Sequence, residues 1–283
     1  MNGKVTPASR AVVTVFDRGL VLGDGLFETL RVREGCPEFL DLHYRRWIKS
    51  ARRLRLRVPV SEAELRNILS SLCRKSRLND AVARITLTRG RYFGGLSIDA
   101  AIPPTLIVTV MPVSPLPSEV LRRGVKVAIS GINKAAASGL DPGIKSTNYL
   151  ANIFAKAEAD KKGCYEAILL GPRGEIAELS TSSFFCILDG VVTTPPIDTG
   201  ILPGITRQVL LREMRRKKIP VRESEIFPRD IPRMTEAFLS SSVRGLIPIT
   251  RIEGIKIGNG KVGSVYRGLQ ELYAAACERE LGK

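Results

Sequence analysis

The chain reads as an α+β protein of two domains, and three observations predict this. Short alternating apolar runs and longer amphipathic runs follow one another without strict strand–helix–strand alternation, so sheets with segregated helices are expected. The 283 residues are enough for two separate cores. Met111–Pro117 holds three prolines in seven residues, a linker composition. The expected division is a smaller N-terminal α/β domain over 1–112, a linker over 113–120 and a larger C-terminal domain over 121–283.

In the first domain, β-branched Ala11–Val15 predicts a strand, Asp17-Arg18-Gly19 a turn and Leu20–Gly25 a glycine-bounded loop. Leu26–Val32 alternates like a strand, Gly35-Cys36-Pro37 turns, and Glu38–Leu42 returns. Leu42–Leu56 predicts a basic helix. Ser61 and Glu64 stand at the capping-box spacing of the next one. Ala81–Thr88 and Thr105–Val110 are strands around Arg89–Pro104, a glycine-rich loop long enough to carry function. In the second domain, Val125–Ser130 predicts a strand and Gly139–Gly143 a turn, then a helix headed by Lys145 and running on through Ala151–Lys162. Strands follow at Ala167–Leu170, Phe184–Leu188 and Val191–Thr194, a loop at Pro195–Pro203 and a helix over Gly204–Lys218. Val221–Phe227 and Glu236–Ser241 read as strands, and Val262–Glu280 as a closing helix.

Composition narrows the function. No apolar run reaches membrane-span length, and Met1-Asn2-Gly3-Lys4 lacks a signal-peptide pattern, so a cytoplasmic protein without a membrane partner is expected. Cys36, Cys73, Cys164, Cys186 and Cys277 are scattered and odd in number, which predicts free thiols and no metal site. His43 is the only histidine, which argues against histidine-based triads. The net charge of +16 is spread along the chain. Its dense runs, Arg45–Arg57 and Arg212–Lys218, interleave with apolar residues at helical spacing and read as solvated helix faces rather than a nucleic-acid groove.

Individual residues leave choices open. Lys145 is either an ordinary lysine or an amine able to bond an aldehyde, and a cation is unfavourable in a first helical turn. Glu178 is either a strand-end acid or a partner for a pyridine nitrogen. The stretch Gly200-Ile201-Leu202-Pro203-Gly204-Ile205-Thr206-Arg207 leads into a helix whose amides and Thr206 hydroxyl suit an anion, or it is a tight capped loop. Ser240-Ser241-Ser242 adds three hydroxyls at a strand end, and Arg46 a charged donor.

Taken together, these blocks resemble the fold-type IV pyridoxal-phosphate enzymes: branched-chain aminotransferases, D-amino acid aminotransferases and 4-amino-4-deoxychorismate lyases. The likeness runs from about Phe16 to about Val265. It is carried by Asp17-Arg18-Gly19 with Gly23-Asp24-Gly25-Leu26-Phe27-Glu28, and by His43-Tyr44-Arg45-Arg46. Lys145-Ser146-Thr147-Asn148-Tyr149-Leu150 matches next, followed by Glu178 with Ser182-Ser183-Phe184-Phe185 and Leu202-Pro203-Gly204-Ile205-Thr206-Arg207.

The resemblance implies a larger C-terminal domain with a pseudo-barrel sheet, a homodimer, and pyridoxal 5'-phosphate as cofactor. It makes Lys145 the Schiff-base lysine and proton carrier, and Glu178 the partner of the pyridine nitrogen. Tyr149 would bond the phenolic oxygen, and Leu202 would pack on the ring. Arg46, Gly204, Ile205, Thr206, Ser241 and Ser242 would hold the phosphate, leaving His43 structural.

Substrate choice diverges from the relatives. After Thr88-Arg89-Gly90 comes Arg91-Tyr92-Phe93-Gly94, without the arginine and histidine that trap a carboxylate in D-amino acid enzymes. Thr29 stands where branched-chain enzymes favour glycine. Phe27-Glu28-Thr29 and Ser241-Ser242-Val243 also look like some deoxychorismate lyases. Arg31, Arg91 and Arg244 are the candidates for binding a substrate carboxylate. An aminotransferase acting on a D-amino acid or a branched-chain L-amino acid and a 2-oxo acid leads. A 4-amino-4-deoxychorismate lyase is the alternative, and a basic nucleic-acid-binding protein is the non-enzyme reading.

Overall fold

The computed structural model describes residues 1–91, 94–98, 102–134 and 141–282. They form two compact units, Met1–Ser114 with Ile144–Asn148, and Pro115–Gly143 with Tyr149–Lys283. The five residues Ile144–Asn148 thus belong with the first unit although they interrupt the chain of the second.

The first unit opens with a short helix, α1 (Arg18–Leu22), and a four-stranded antiparallel sheet follows. Its strands are β1 (Gly25–Arg33), β2 (Cys36–Pro37), β3 (Ala81–Thr88) and β4 (Thr105–Pro112), in the order β2-β1-β3-β4. Strand side chains alternate between faces. Leu26, Leu30 and Val32 of β1 and Ala81, Ala83, Ile85 and Leu87 of β3 therefore share one face. Helices α2 (Leu40–Arg53) and α3 (Glu62–Lys75) close it with Leu40, Trp47, Ala51, Leu65 and Leu69. The expected capping box opens α3: the Glu64 amide donates to Ser61 Oγ at 3.3 Å, and the Ser61 amide to Glu64 Oε2 at 2.7 Å.

Four expectations fail in or beside this unit. Ala11–Val15 is exposed irregular chain. Part of the expected Leu20–Gly25 loop is α1, because Asp17 Oδ1 accepts the Gly19 amide at 2.8 Å and caps it. The expected return over Glu38–Leu42 is not a strand: the pairing strand is Cys36–Pro37, inside the expected turn, and the chain turns into α2 through Phe39 at φ 49°. Lys145 lies outside any helix, since the helix after it begins only at Leu150. The expected Arg89–Pro104 loop includes Tyr92, Phe93 and Asp99–Ala101, and the Gly139–Gly143 turn includes Gly139 and Leu140. Those residues lie outside the described ones.

The second unit contains α4 (Ser118–Arg123), β5 (Val125–Ile129), α5 (Leu150–Lys161), β6 (Glu166–Leu170), β7 (Ile176–Leu179), β8 (Ser183–Leu188) and β9 (Val191–Thr194). It continues with α6 (Ile205–Arg216), β10 (Val221–Glu223), β11 (Met234–Ser241), β12 (Gly245–Ile252), β13 (Ile255–Lys256) and α7 (Ser264–Glu280). The strands make one nine-stranded mixed sheet, ordered β10-β9-β8-β11-β12-β5-β6-β7 with β13 against β12. The expected Val221–Phe227 strand is only three residues long. Strand β12 is not foreseen, because Pro248 interrupts its apolar run. Its missing donor is tolerated there, since β5 pairs with β12 only from Ile249 onward. Small residues bring α5 close to the sheet: Ala155 and Ala159 pack with Ala128, Ala167 and Leu169. Phe185 and Phe238 stack at 4.9 Å on neighbouring strands.

Among the described residues, no helix is long and apolar enough to cross a membrane. No group of three or more His, Cys, Asp or Glu there could hold a metal ion. All five cysteines are free thiols.

Candidate active site

In the first unit the chemistry gathers at the start of β1. Strand β2 pairs only with Val32 and Arg33, so the other end of β1 offers an unpaired edge. Residues 144–148 take that edge. The Phe27 amide donates to the Lys145 carbonyl at 2.9 Å, and the Thr147 amide to the Gly25 carbonyl at 2.9 Å. Leu26 and Ser146 form an antiparallel bridge between these bonds. Thr147 Oγ1 donates to the Gly23 carbonyl at 2.7 Å. The approach needs glycine at two places. A Cβ on Gly23, whose φ is +66°, would lie 2.1 Å from Asn148 Oδ1, and one on Gly25 would lie 2.8 Å from the Leu87 carbonyl oxygen. Lys145 is therefore seated by strand-like bonds, and the expected penalty of a cation in a first helical turn does not arise. Its amine lies 4.5 Å from the centroid of the Phe27 ring.

Glu28, one residue along β1, points the opposite way, into the face covered by α2. A carboxylate there requires partners. Arg46 supplies two bonds, Nε to Oε1 at 2.8 Å and Nη2 to Oε2 at 2.6 Å. His43, one turn earlier on the same face of α2, adds Nδ1 to Oε2 at 2.7 Å. All three side chains are buried. Burial pushes the Glu28 carboxyl up, but Arg46 and His43 outweigh it and hold it at about 2. His43 is pushed down, first by burial and further by Arg46 and Lys145, against the pull of Glu28. Glu28 is thus an ionised acceptor, and a neutral His43 donates its Nδ1 proton to it. The only histidine is structural in this sense, and Arg46 is oriented before it meets any ligand.

A second buried network steadies the start of β1. Asp24 Oδ2 accepts from Arg18 Nε at 2.8 Å and Arg89 Nε at 2.7 Å. Arg89 also donates to the Leu54 and Arg55 carbonyls at 2.7 and 3.1 Å. Asp17 Oδ2 accepts the hydroxyls of Thr88 and Thr105 at 2.9 and 2.8 Å.

In the second unit Glu178 lies buried on β7. Its Oε1 accepts from Lys134 Nζ at 2.6 Å, and its Oε2 from the Leu202 amide at 3.0 Å. Leu202 belongs to the turn between Gly200, at φ +79°, and Gly204, the N-cap of α6. A Cβ on Gly204 would stand 2.5 Å from Ser183 Oγ, so the chain passes close there. Ile205 and Thr206 occupy the first turn of α6, which has no side-chain cap. Thr206 Oγ1 and the Tyr273 hydroxyl are 3.4 Å apart. Ser241 ends β11, Ser242 begins the turn after it, and both are half-buried. The buried Ser240 Oγ beside them has no hydrogen-bond partner. Tyr149 is the half-buried N-cap residue of α5. Behind β7, Glu166 accepts from Ser180 Oγ, the Thr181 amide, Thr181 Oγ1 and Ser182 Oγ at 2.5 to 3.2 Å, which fixes the turn after Glu178. Burial raises the Glu166 carboxyl above its ordinary value.

The three arginines suggested by sequence have other neighbours. Arg31 faces Asp80 at 3.5 Å, Arg91 lies 6.0 Å from the centroid of the Phe16 ring, and Arg244 stands near enough to Tyr165 for its charge to act on that hydroxyl. Arg84, which sequence reasoning missed, has its guanidinium carbon 3.7 Å from the Phe27 centroid, on the same ring that neighbours Lys145. A charged residue alternating with Ala83 and Ile85 on β3 is the one local signal that it carries. Lys134 carries no motif. Glu28, a charge at a core position of β1 between Leu26 and Leu30, could have been recognised by period alone.

Comparisons with known proteins match the chain nearly end to end. A family model described as amino-transferase class IV matches residues 25–252. A Methanocaldococcus jannaschii protein, provisionally named a branched-chain-amino-acid aminotransferase, is 32% identical, with 96% of this chain and 94% of that protein covered. The D-alanine aminotransferase of Listeria monocytogenes is 31% identical over 100% of this chain and 97% of its own. The crystal structure of the Escherichia coli branched-chain amino acid aminotransferase superposes with a TM-score of 0.92 at 28% identity, covering 98% of this chain and 93% of that one.

The Glu28 network has a testable sign. Its carboxyl falls from an ordinary 4.5 to about 2 on folding, so its stabilisation is complete above pH 4.5 and is lost as pH falls toward 2. Glu28→Gln leaves the Arg46 charge buried and uncompensated, at a cost of about 3–5 kcal/mol near neutral pH. Urea denaturation should show this deficit at pH 7 and a much smaller one at pH 3. A gap that does not change with pH would contradict the ion-pair account.

Proposed function

The chain belongs to the class IV aminotransferase family, whose enzymes use pyridoxal 5'-phosphate, and we propose that it transfers the amino group of an amino acid to a 2-oxo acid, with Lys145 as its covalent anchor. The observation that carries this reading is the seat of Lys145: strand-like bonds fix the backbone on β1 and leave the amine at the Phe27 ring.

The residues fit a phosphorylated pyridine aldehyde. The first unit offers the Lys145 amine and Arg46, a guanidinium oriented by Glu28. The second unit offers the buried Glu178 carboxylate for a ring nitrogen. It also offers an anion cup at Gly204, Ile205 and Thr206, with the partnerless Ser240 hydroxyl near Ser241 and Ser242. Leu202 would pack on the ring and Tyr149 would bond its phenolic oxygen in this reading. When bound, the cofactor supplies an aldehyde carbon and an electron-accepting ring. Glu178 would face the ring nitrogen as a carboxylate acceptor. The Lys145 amine would hold the aldehyde and, when free, would serve as the general base that takes the substrate Cα proton and gives it back. Each fixed donor, Arg46 in the first unit and the α6 turn in the second, would limit the movement of a phosphate bound to it.

Arg84 is the group proposed for a substrate carboxylate, because its guanidinium lies on the Phe27 ring that also neighbours the Lys145 amine. Phe27, Thr86 and Ile107 are register neighbours across β1, β3 and β4, on the sheet face away from α2 and α3. That strip favours an apolar side chain, and the likeness to branched-chain aminotransferases supports an L-amino acid. The expected homodimer is supported by α5, where Leu150, Ile153 and Phe154 are 66%, 60% and 56% exposed at helical spacing. A second copy of the chain is the partner proposed for that stripe.

The activity is tested by half-reactions with L-valine, L-leucine, D-alanine and 4-amino-4-deoxychorismate. Formation of the aminated cofactor with the L-amino acids is expected; turnover of 4-amino-4-deoxychorismate alone would make the protein a lyase. Arg84→Ala should lower kcat/KM about 10- to 100-fold, the worth of one charged hydrogen bond; an unchanged value removes Arg84 from the site. Ile153→Asp should convert a dimer to monomers in sedimentation, and a protein already monomeric before the change would refute the pairing.

A further inference from the structure

We propose that Lys134 is a positioning residue for Glu178, fixing its carboxylate in rotation and placing a cation behind it, so that a bonded ring nitrogen keeps its proton. The inference rests on the reading of Glu178 as the ring-nitrogen partner.

Lys134 and Glu178 form an ion pair whose side chains are only 9% and 8% exposed. Nζ is 2.6 Å from Oε1, while the Leu202 amide takes Oε2 at 3.0 Å. The carboxylate therefore has one donor on each oxygen and cannot turn without losing one of them. Each oxygen keeps a second lone pair, so one further N–H can be accepted without displacing either partner. A buried ion pair of this kind is costly to desolvate, and removing one member leaves the other uncompensated. The consequence for a bound pyridine is specific. With Lys134 present, the proton shared between ring nitrogen and carboxylate rests on nitrogen, because the ammonium stabilises the anion. With a neutral residue there, the proton moves toward the carboxylate and the ring accepts electrons less well. Lys134 acts through Glu178 and is not itself a catalytic residue.

The test loads ring-15N pyridoxal phosphate onto the full-length apoprotein of wild type, Lys134→Met, Lys134→Gln, Lys134→Arg and Glu178→Gln. It records the 15N shift of the bound ring and the dissociation constant. The two neutral Lys134 variants should move the shift toward that of unprotonated pyridine and weaken binding about tenfold, the loss of one charge-assisted contact. Lys134→Arg should stay close to wild type. Either neutral variant suffices if the other does not fold. Wild-type shift and affinity in a neutral variant, alongside a moved shift in Glu178→Gln, would overturn the role of Lys134 alone. Tighter binding in a neutral variant would overturn it too, since Lys134 would then compete with the ring for Glu178. An unmoved shift in Glu178→Gln would overturn the ring-nitrogen reading and the proposal with it.

Discussion

The Phe27 amide donating to the Lys145 carbonyl is the bond on which the rest of the first unit's chemistry depends. It sets Ile144–Asn148 in register with β1, and a strand's register decides which side chains face which way. Phe27 and the Lys145 amine then meet on one side, and Glu28, His43 and Arg46 on the other. A slip of one residue would bring Leu26 or Glu28 into the position of Phe27. The glycines at 23 and 25, the Thr147 hydroxyl and the paired charges of Asp24, Arg18 and Arg89 all act to prevent that slip.

Much of the charge in the fold is buried in ordered sets: Glu28 with Arg46 and His43, Asp24 with Arg18 and Arg89, Glu178 with Lys134, and Glu166 with three hydroxyls. Such pairs contribute little net stability and resist disruption strongly. Their value is geometric. A guanidinium or carboxylate whose partners are already in place does not have to reorganise when a ligand arrives, which is where fixed polar groups help most in catalysis. The same logic gives the single histidine its role. Burial and its cationic neighbours keep it neutral, so it serves as a fixed donor to Glu28.

Local signals made much of this legible. Ala81–Thr88 has the bounds its alternation predicts, and the Ser61–Glu64 capping box is formed as spaced. The family resemblance rested on contiguous blocks between about Phe16 and Val265, and the family model spans residues 25–252 of that stretch. What failed was non-local. The seat of Lys145 depends on an edge of β1 that β2 leaves open more than a hundred residues earlier, so a helix-like reading of Lys145–Leu150 had nothing to oppose it. Strand β12 was hidden by Pro248, harmless only because of where β5 begins to pair. Lys134 lies in a segment without motif, and Arg84 looked like any strand arginine until the Phe27 ring was seen beneath it. The arginines chosen from sequence were judged by proximity to motifs, whereas neighbours such as Asp80 and Tyr165 bear on where they point.

The central claim is that Lys145, by virtue of its seat on β1, is the amine that carries the cofactor. The most direct measurement is borohydride reduction of the protein loaded with pyridoxal phosphate, followed by proteolysis and mass spectrometry of the stable adduct. The account predicts a phosphopyridoxyl group on Lys145 in the peptide that contains Ser146-Thr147-Asn148. An adduct on Lys134 or any other lysine, with Lys145 unmodified, would contradict it.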